Sequence, residues 1–300
     1  MIAALSLLLL SQTTLPHRME EAMGPFPVIR RGPLNVRVVE ERTEGGLLFQ
    51  KITYESEPGD AVPAWLIRRS DLPKNPPGML CLHQTTKAGK DEPAGFAGRP
   101  TLHYARELAE RGFVVIAPDY PSLGENTSDP YAMRYVSASM KGIWNHSRAI
   151  DVLVEYAGAT SIGSIGHSLG GHNSLFLAVF DPRVKVIVTS CGFTSMARYK
   201  GGNLKGWDGW RYMPRFATWY NNSPEKVPWD FPEVLSFLSD RPIFINAPLR
   251  DDNFDNSGVR DCVRLAGKKT VAVYPDVGHD FPDDIRGQAY DFIEKNLKVQ

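Results

Sequence analysis

From Leu47 onward, short apolar runs alternate with longer stretches in which apolar residues recur every three or four positions. LLFQKITYES and AVPAWLIRR, joined by EPGD, predict two antiparallel strands linked by a turn. MLCL, which leads to His83, FVVIAP (113–118), SIGSIG (161–166), VKVIVTSC (184–191), PIFINAPL (242–249) and TVAVYP (270–275) read as buried strands. LHYARELAERG, the stretch from about Tyr131 to Ala157, SLGGHNSLFLAVF and the terminal QAYDFIEKNL have helical spacing. Apolar strands recurring between helices predict an α/β fold: a mostly parallel sheet covered by helices on both faces, with the first two strands at an antiparallel edge.

Two regions fall outside this rhythm. Residues 11–45 are mixed and predict an irregular approach to the domain. Residues 193–240 hold Trp207, Trp210, Trp219 and Trp229, four of the six tryptophans in the chain. A long insertion beyond a strand end tends to fall over the ligand crevice of such a sheet. The expectation is a cover in which Trp207, Trp210 and Trp229 bind substrate; the competing expectation is ordinary packing of these rings against the sheet.

Composition narrows the function. With 300 residues and 42% hydrophobic content, the chain is globular and long enough for one large domain or two small ones; nothing between 47 and 300 looks like a linker, so one domain is expected. Lys plus Arg and Asp plus Glu both count 34, which removes the basic signature of a nucleic-acid partner. Cys81, Cys191 and Cys262 lack zinc-site spacing, and no clustered ligand set suggests a metal. The apolar run Ile2–Leu10 is far shorter than the ~20 residues needed to span a bilayer. It fits the core of a secretory signal peptide, although no Lys or Arg precedes it and no Ala-x-Ala follows; a short buried segment fits as well. The expected division is an N-terminal extension over 1–46, with a signal-like segment, and one domain over 47–300. Cytoplasmic and secreted locations both stay open, as does the oligomeric state; no membrane partner is expected.

The chemistry concentrates in Gly166-His167-Ser168-Leu169-Gly170-Gly171, a Gly-x-Ser-x-Gly run between a strand and a helical pattern. A serine on so sharp a turn needs minimal neighbours, which Gly166 and Gly170 supply. The turn presents the Ser168 hydroxyl as a nucleophile, and the Leu169 N–H at the helix start can receive an oxyanion. The serine needs a base, and the base needs an acid to orient it. His279 follows the last strand in PDVGHDFP, and the loop after the preceding strand offers RDDNFD. Asp251, first off the strand end, is the preferred acid, with Asp252 the alternative. Gln84 or Thr85, after the strand that leads to His83, is the expected second oxyanion donor. No organic cofactor or metal is required.

With GHSLGG, DYPSLGE, APLRDDNFD and YPDVGHDFP together, the chain resembles the α/β-hydrolase superfamily over about 47–300. Within it, the chain looks like the dienelactone-hydrolase-like and acetyl-xylan-esterase-like serine esterases. The resemblance implies an α/β-hydrolase fold, with nucleophile Ser168, base His279 and acid Asp251, three residues before Phe254. It departs from the family at Gln84, where glycine usually follows the histidine, and from dienelactone hydrolases proper at Ser168, where they carry cysteine. The implied activity is hydrolysis of a short-acyl ester, small or polysaccharide-borne. A peptidase or amidase using the same triad, and a non-catalytic binding module on the same fold, are the alternatives.

Overall fold

The computed structural model describes residues 14–28 and 30–297, so the signal-like run Ile2–Leu10 lies outside the described residues. Nine strands form one sheet: β1 (Arg37–Glu44), β2 (Leu47–Glu57), β3 (Asp60–Arg69), β4 (Gly78–Leu82), β5 (Val114–Pro118), β6 (Ile162–His167), β7 (Val184–Ser190), β8 (Ile243–Asn246) and β9 (Thr270–Val273). They lie in the order β1-β2-β3-β5-β4-β6-β7-β8-β9. Pairing is antiparallel from β1 to β3 and between β3 and β5, and parallel from β5 to β9.

Alternation along the strands divides the interior into two cores. In β4, Leu80 and Leu82 join one core while Met79 and Cys81 join the other. The first core also takes α1 (Leu15–Met23), α3 (Ala138–Asp151) and α4 (Leu169–Phe180). The second takes α2 (Tyr104–Glu110) and α8 (Asp283–Leu297). A parallel sheet buried on both faces needs such covering, because its strands are apolar on both sides. All the parallel strands end at one edge, so the loops after β4, β6, β8 and β9 meet there.

Several elements differ from the sequence expectation. The boundary at 47 falls inside the β1–β2 hairpin, since β1 pairs along most of β2. All eight β1 residues are exposed, so no apolar alternation marks that strand. Helix α1 is also integral: Leu15, Met19, Ala22 and Met23 are buried, and Arg18 pairs with Glu233 at 2.6 Å. The helix expected from Tyr131 begins at Ala138, where the Ser137 side chain accepts the Met140 N–H and caps it. It continues through a π-helical turn over Val152–Tyr156. Within and after the insertion lie α5 (Arg215–Thr218), α6 (Phe231–Phe237) and α7 (Asn256–Val263). No helix among the described residues is long and apolar enough to cross a membrane.

Candidate active site

Strand β6 ends at His167 and α4 begins at Leu169, which leaves Ser168 alone on the turn with φ 54° and ψ −115°. Such a backbone is costly for a residue with a side chain, and it persists only where the surroundings enforce it. A Cβ on Gly166 would run into the Gly170 backbone, and one on Gly170 into the Leu82 carbonyl. One on Gly171 would crowd the Gly192 backbone. The motif's glycines therefore allow α4 to start directly against the ends of β4 and β7. The Ser168 N–H donates to the Ser190 carbonyl at 2.8 Å, which fixes the turn to β7.

His279, in the loop after β9, has its Nδ1 3.0 and 2.9 Å from the two carboxylate oxygens of Asp251, in the loop after β8. The Asp251 carboxylate also accepts the backbone N–H groups of Asn253 at 2.8 Å and Phe254 at 3.0 Å. Burial pushes this carboxyl up, but the His279 hydrogen bond and charge and the two amides outweigh it and hold the group below its usual value. The side chain is 1% exposed and stays ionised at neutral pH. Asp252 points elsewhere: it is exposed, and its carbonyl receives the Lys200 ammonium. The His279 ring meets the His167 ring edge to face, with centroids 4.8 Å apart, and so lies beside the turn that carries Ser168. Among the described residues no hydrogen bond joins Ser168 Oγ to His279. Such bonds are often long in a free enzyme and tighten around the reacting group.

The His279 loop is tied down from several sides. Arg99 donates to the His279 carbonyl at 3.1 Å and pairs with Asp280, whose carboxylate also accepts from Thr101 Oγ1 at 2.7 Å. Asn246, at the end of β8, donates to the Asp280 carbonyl at 2.9 Å and to Ser190 Oγ at 2.9 Å. Sequence reasoning missed Arg99, Asn246 and Ser190. Asn246 had a signal, a polar residue ending the apolar run IFIN; Arg99 lies in a polar loop where one more arginine carries no pattern.

After β4, the buried His83 donates from Nδ1 to the Gln84 carbonyl at 2.6 Å and accepts the Tyr120 N–H on Nε2 at 3.0 Å. Burial holds this ring below its usual value despite the nearby Asp119 carboxylate, which agrees with the neutral form those two bonds require. The Gln84 amide is turned onto the Glu92 carboxylate, 3.0 Å from each oxygen. Thr85 Oγ1 shares a hydrogen bond of 2.7 Å with the Tyr212 hydroxyl. The Tyr212 ring packs on a cluster that includes Tyr120 and Leu169. Of the expected oxyanion donors, Thr85 is thus tied through Tyr212 of the insertion to the cluster that holds Leu169, while the Gln84 side chain turns to Glu92.

The insertion's tryptophans divide. Trp229 is 1% exposed and wedged against Phe176, Phe216 and Phe231, so the expectation that it binds substrate is not met. Trp207, 4% exposed, packs its ring at a tilt against His172, Tyr199, Phe231 and Phe254 and likewise serves packing. The physical reason is that α4 offers Phe176 and His172 on its outer side, and the insertion covers them. Trp210 is 48% exposed, with the Arg211 guanidinium over its ring and the Tyr131 hydroxyl on its carbonyl.

For a metal, the fitting group of ligand atoms among the described residues is on His167, Cys191 and His279, all within 4.8 Å of one another. Burial pushes the Cys191 thiol well above its usual value, so it stays protonated and is no competing nucleophile.

A family model described as the alpha/beta hydrolase fold matches residues 93–261. The chain is 31% identical over 115 residues to the uncharacterized protein YcjY of Escherichia coli (strain K12), a stretch covering 37% of each chain. Among solved structures, a glucuronoyl esterase from Solibacter usitatus matches with a TM-score of 0.71 at 15% identity, over 96% of this chain and 94% of the other. An acetyl xylan esterase from Thermoanaerobacterium matches at 0.65 and 16% identity, over 94% and 92%. A cold-adapted esterase from an Arctic intertidal metagenomic library matches at 0.62 and 15% identity, over 87% and 98%. At these identities the likeness is one of fold.

Proposed function

Since the chain belongs to the alpha/beta hydrolase fold family, we propose that it hydrolyses carboxylic esters through an acyl-enzyme on Ser168. The observation that carries this reading is the Asp251–His279 pair, 2.9 Å apart, beside the strained turn of Ser168. His279 Nε2 takes the Ser168 proton as Oγ attacks the ester carbonyl. The carbonyl oxygen becomes an oxyanion, received by the Leu169 N–H and by the N–H of Gln84 or Thr85. His279 then gives its proton to the departing alcohol. Water, activated by the same imidazole, releases the acid and restores Ser168. Asp251, bonded to Nδ1, keeps Nε2 unprotonated before attack and stabilises the imidazolium that follows. No step needs an external cofactor.

Carboxylic esters are favoured because the solved structures above are described as esterases. A short acyl group is favoured by Tyr120 and Tyr212, large stiff rings packed in one cluster with Leu169, the residue after Ser168. Trp210, exposed and two residues before Tyr212, offers a flat face to the alcohol portion, small or polysaccharide-borne. A panel of p-nitrophenyl esters from acetyl to decanoyl, run with acetylated xylan and aminoacyl anilides, tests the reading. The expected result is a maximum in kcat/KM between acetyl and butyryl, with Ser168→Ala lowering kcat on the order of 10⁶-fold. Turnover confined to the anilides, or Ser168→Ala keeping a tenth of the activity, would overturn it.

A further inference from the structure

Three ligand-type side chains converge at the proposed site, although only one of them takes part in the reaction described above. His167, at the end of β6, is buried and bonds through Nδ1 to Ser190 Oγ at 2.9 Å. Its Nε2 is buried with no hydrogen-bond partner. A buried imidazole nitrogen without a partner is costly, and a native structure rarely leaves one without a reason. Cys191, the residue after β7, is a free thiol at 2% exposure, held in a left-handed backbone with φ 47°. Its Sγ lies 3.4 Å from the Asp280 carbonyl, a weak contact for a donor. His279 has Nδ1 taken by Asp251, so its open lone pair is on Nε2.

We propose that His167, Cys191 and His279 form a site for a thiophilic divalent cation, zinc above all, and that its occupancy shuts the hydrolase off. The dimensions fit. One ligand atom from each residue lies within 4.8 Å of the other two, so a point midway between them is about 2.8 Å from each, against ~2.0–2.3 Å for zinc–nitrogen and zinc–sulfur bonds. The nitrogens assigned to the cation are the two open Nε2 atoms, and side-chain shifts on the order of an ångström close the site. Partners for the ligands' far sides are already in place. Metal-bound imidazoles commonly give their second nitrogen to a carboxylate or another acceptor. Here Asp251 holds Nδ1 of His279 and Ser190 Oγ holds Nδ1 of His167. Ser190 Oγ accepts from Asn246, which steadies it for that task.

The charge and proton balance also close. On binding, the cation sheds water, the Cys191 S–H bond breaks, its proton passes to solvent, and a zinc–thiolate bond forms. One thiolate and the nearby Asp251 carboxylate together offset the two positive charges, and the cation's charge overcomes the burial and the Asp251 repulsion that keep the free Cys191 thiol protonated. No oxidant or reductant is required. A fourth coordination position is left for water, as three protein ligands usually leave. The block follows because the metal occupies the lone pair of His279 that would accept the Ser168 proton. That consequence rests on the reading of His279 as base, whereas the site itself does not.

The test uses the full chain with cobalt(II) as a spectroscopic probe and zinc as inhibitor. One equivalent of cobalt is expected to give a thiolate-to-cobalt charge-transfer band that Cys191→Ser abolishes. The zinc concentration that halves ester turnover, relative to each variant's own metal-free rate, should rise at least about tenfold in Cys191→Ser and in His167→Asn. A chelator should restore the zinc-treated wild type. No band in the wild type, a band that persists in Cys191→Ser, or unchanged zinc sensitivity in both variants overturns the proposal. If thermal unfolding shows that one variant does not fold, the other decides. A wild type that shows the band but turns over no ester would overturn the hydrolase reading and leave the metal site standing; an active wild type without the band would do the reverse.

Discussion

Asp251 and Asp252 are adjacent in sequence and carry the same functional group, yet their surroundings assign them different work. Asp251 is buried, takes two backbone N–H groups and holds His279, whereas Asp252 is exposed and lends only its carbonyl to Lys200. Amidating the first removes the acceptor that sets the tautomer of His279. Asp251→Asn is therefore expected to lower kcat on the order of 10³–10⁴-fold, the size of the loss where an orienting acid is amidated. Asp252→Asn should change it by less than about threefold, as surface substitutions do. Steady-state kinetics of the two variants on p-nitrophenyl acetate decide the matter, and the opposite ranking would move the acid to Asp252. This pair also shows what the sequence could carry at residue scale. RDDNFD in chain order between Ser168 and His279 pointed to an acid there. The backbone amides that single out Asp251 come from the fold of that loop, and no pattern of residue types reveals them.

Elements were legible where burial imposes a period, and hidden where it does not. The parallel strands β4 to β8 are short apolar runs because both their faces are covered, so they announced themselves, while β9, a half-exposed edge strand, keeps only the apolar composition. β1 has no buried side chain, and its strand state comes from backbone pairing with β2 alone. Trp207 and Trp229 misled for the converse reason: a large ring over a crevice and a large ring over a helix have the same composition. Glycine makes the element-scale argument testable. Gly170 and Gly287 both lie within helices, α4 and α8. A Cβ at 170 would collide with the Leu82 carbonyl, a backbone atom of the neighbouring strand, whereas at 287 nothing lies within 4 Å. Gly170→Ala should open the turn, destabilise the protein by several kcal/mol (~2–5) and remove activity. Gly287→Ala should stabilise it by about 0.5–1 kcal/mol, the helix preference of alanine over glycine. Urea melts of both variants check this, and a well-folded, active Gly170→Ala would refute the account of the motif's glycines as close-approach residues.

Across the whole molecule, the two cores enclose more titratable groups than the proposed reaction uses. Burial pushes His146, in α3, down to about 3, with His83 adding to the effect. Burial likewise takes His172, in α4, down to about 3 against the opposing hydrogen bond to the Gly192 carbonyl. It holds His167 well below its usual value, and the neighbouring His279 and Arg99 add to the shift. In the unfolded chain these imidazoles regain the ordinary value of about 6.5. Between that pH and about 3 the unfolded state binds protons that the folded state refuses, so stability falls as pH falls. Each such histidine contributes up to about 1.4 kcal/mol per pH unit, or on the order of 2 kcal/mol by pH 5. His146 and His172 alone then weigh against the small margin of a typical domain, ~5–15 kcal/mol, and His167 acts in the same direction. Carboxylates held low, Asp251 and Asp181 among them, add losses only at more acid pH. The urea midpoint should therefore drop steeply between pH 7 and pH 5, before the carboxylates titrate. His146 has a buried Nδ1 without a partner, so His146→Met should keep the fold at pH 7.5 and reduce the proton uptake on unfolding by roughly one near pH 5. A midpoint that stays flat from pH 7 to pH 5 in the wild type would mean that these histidines are charged, or reach water, in the folded protein.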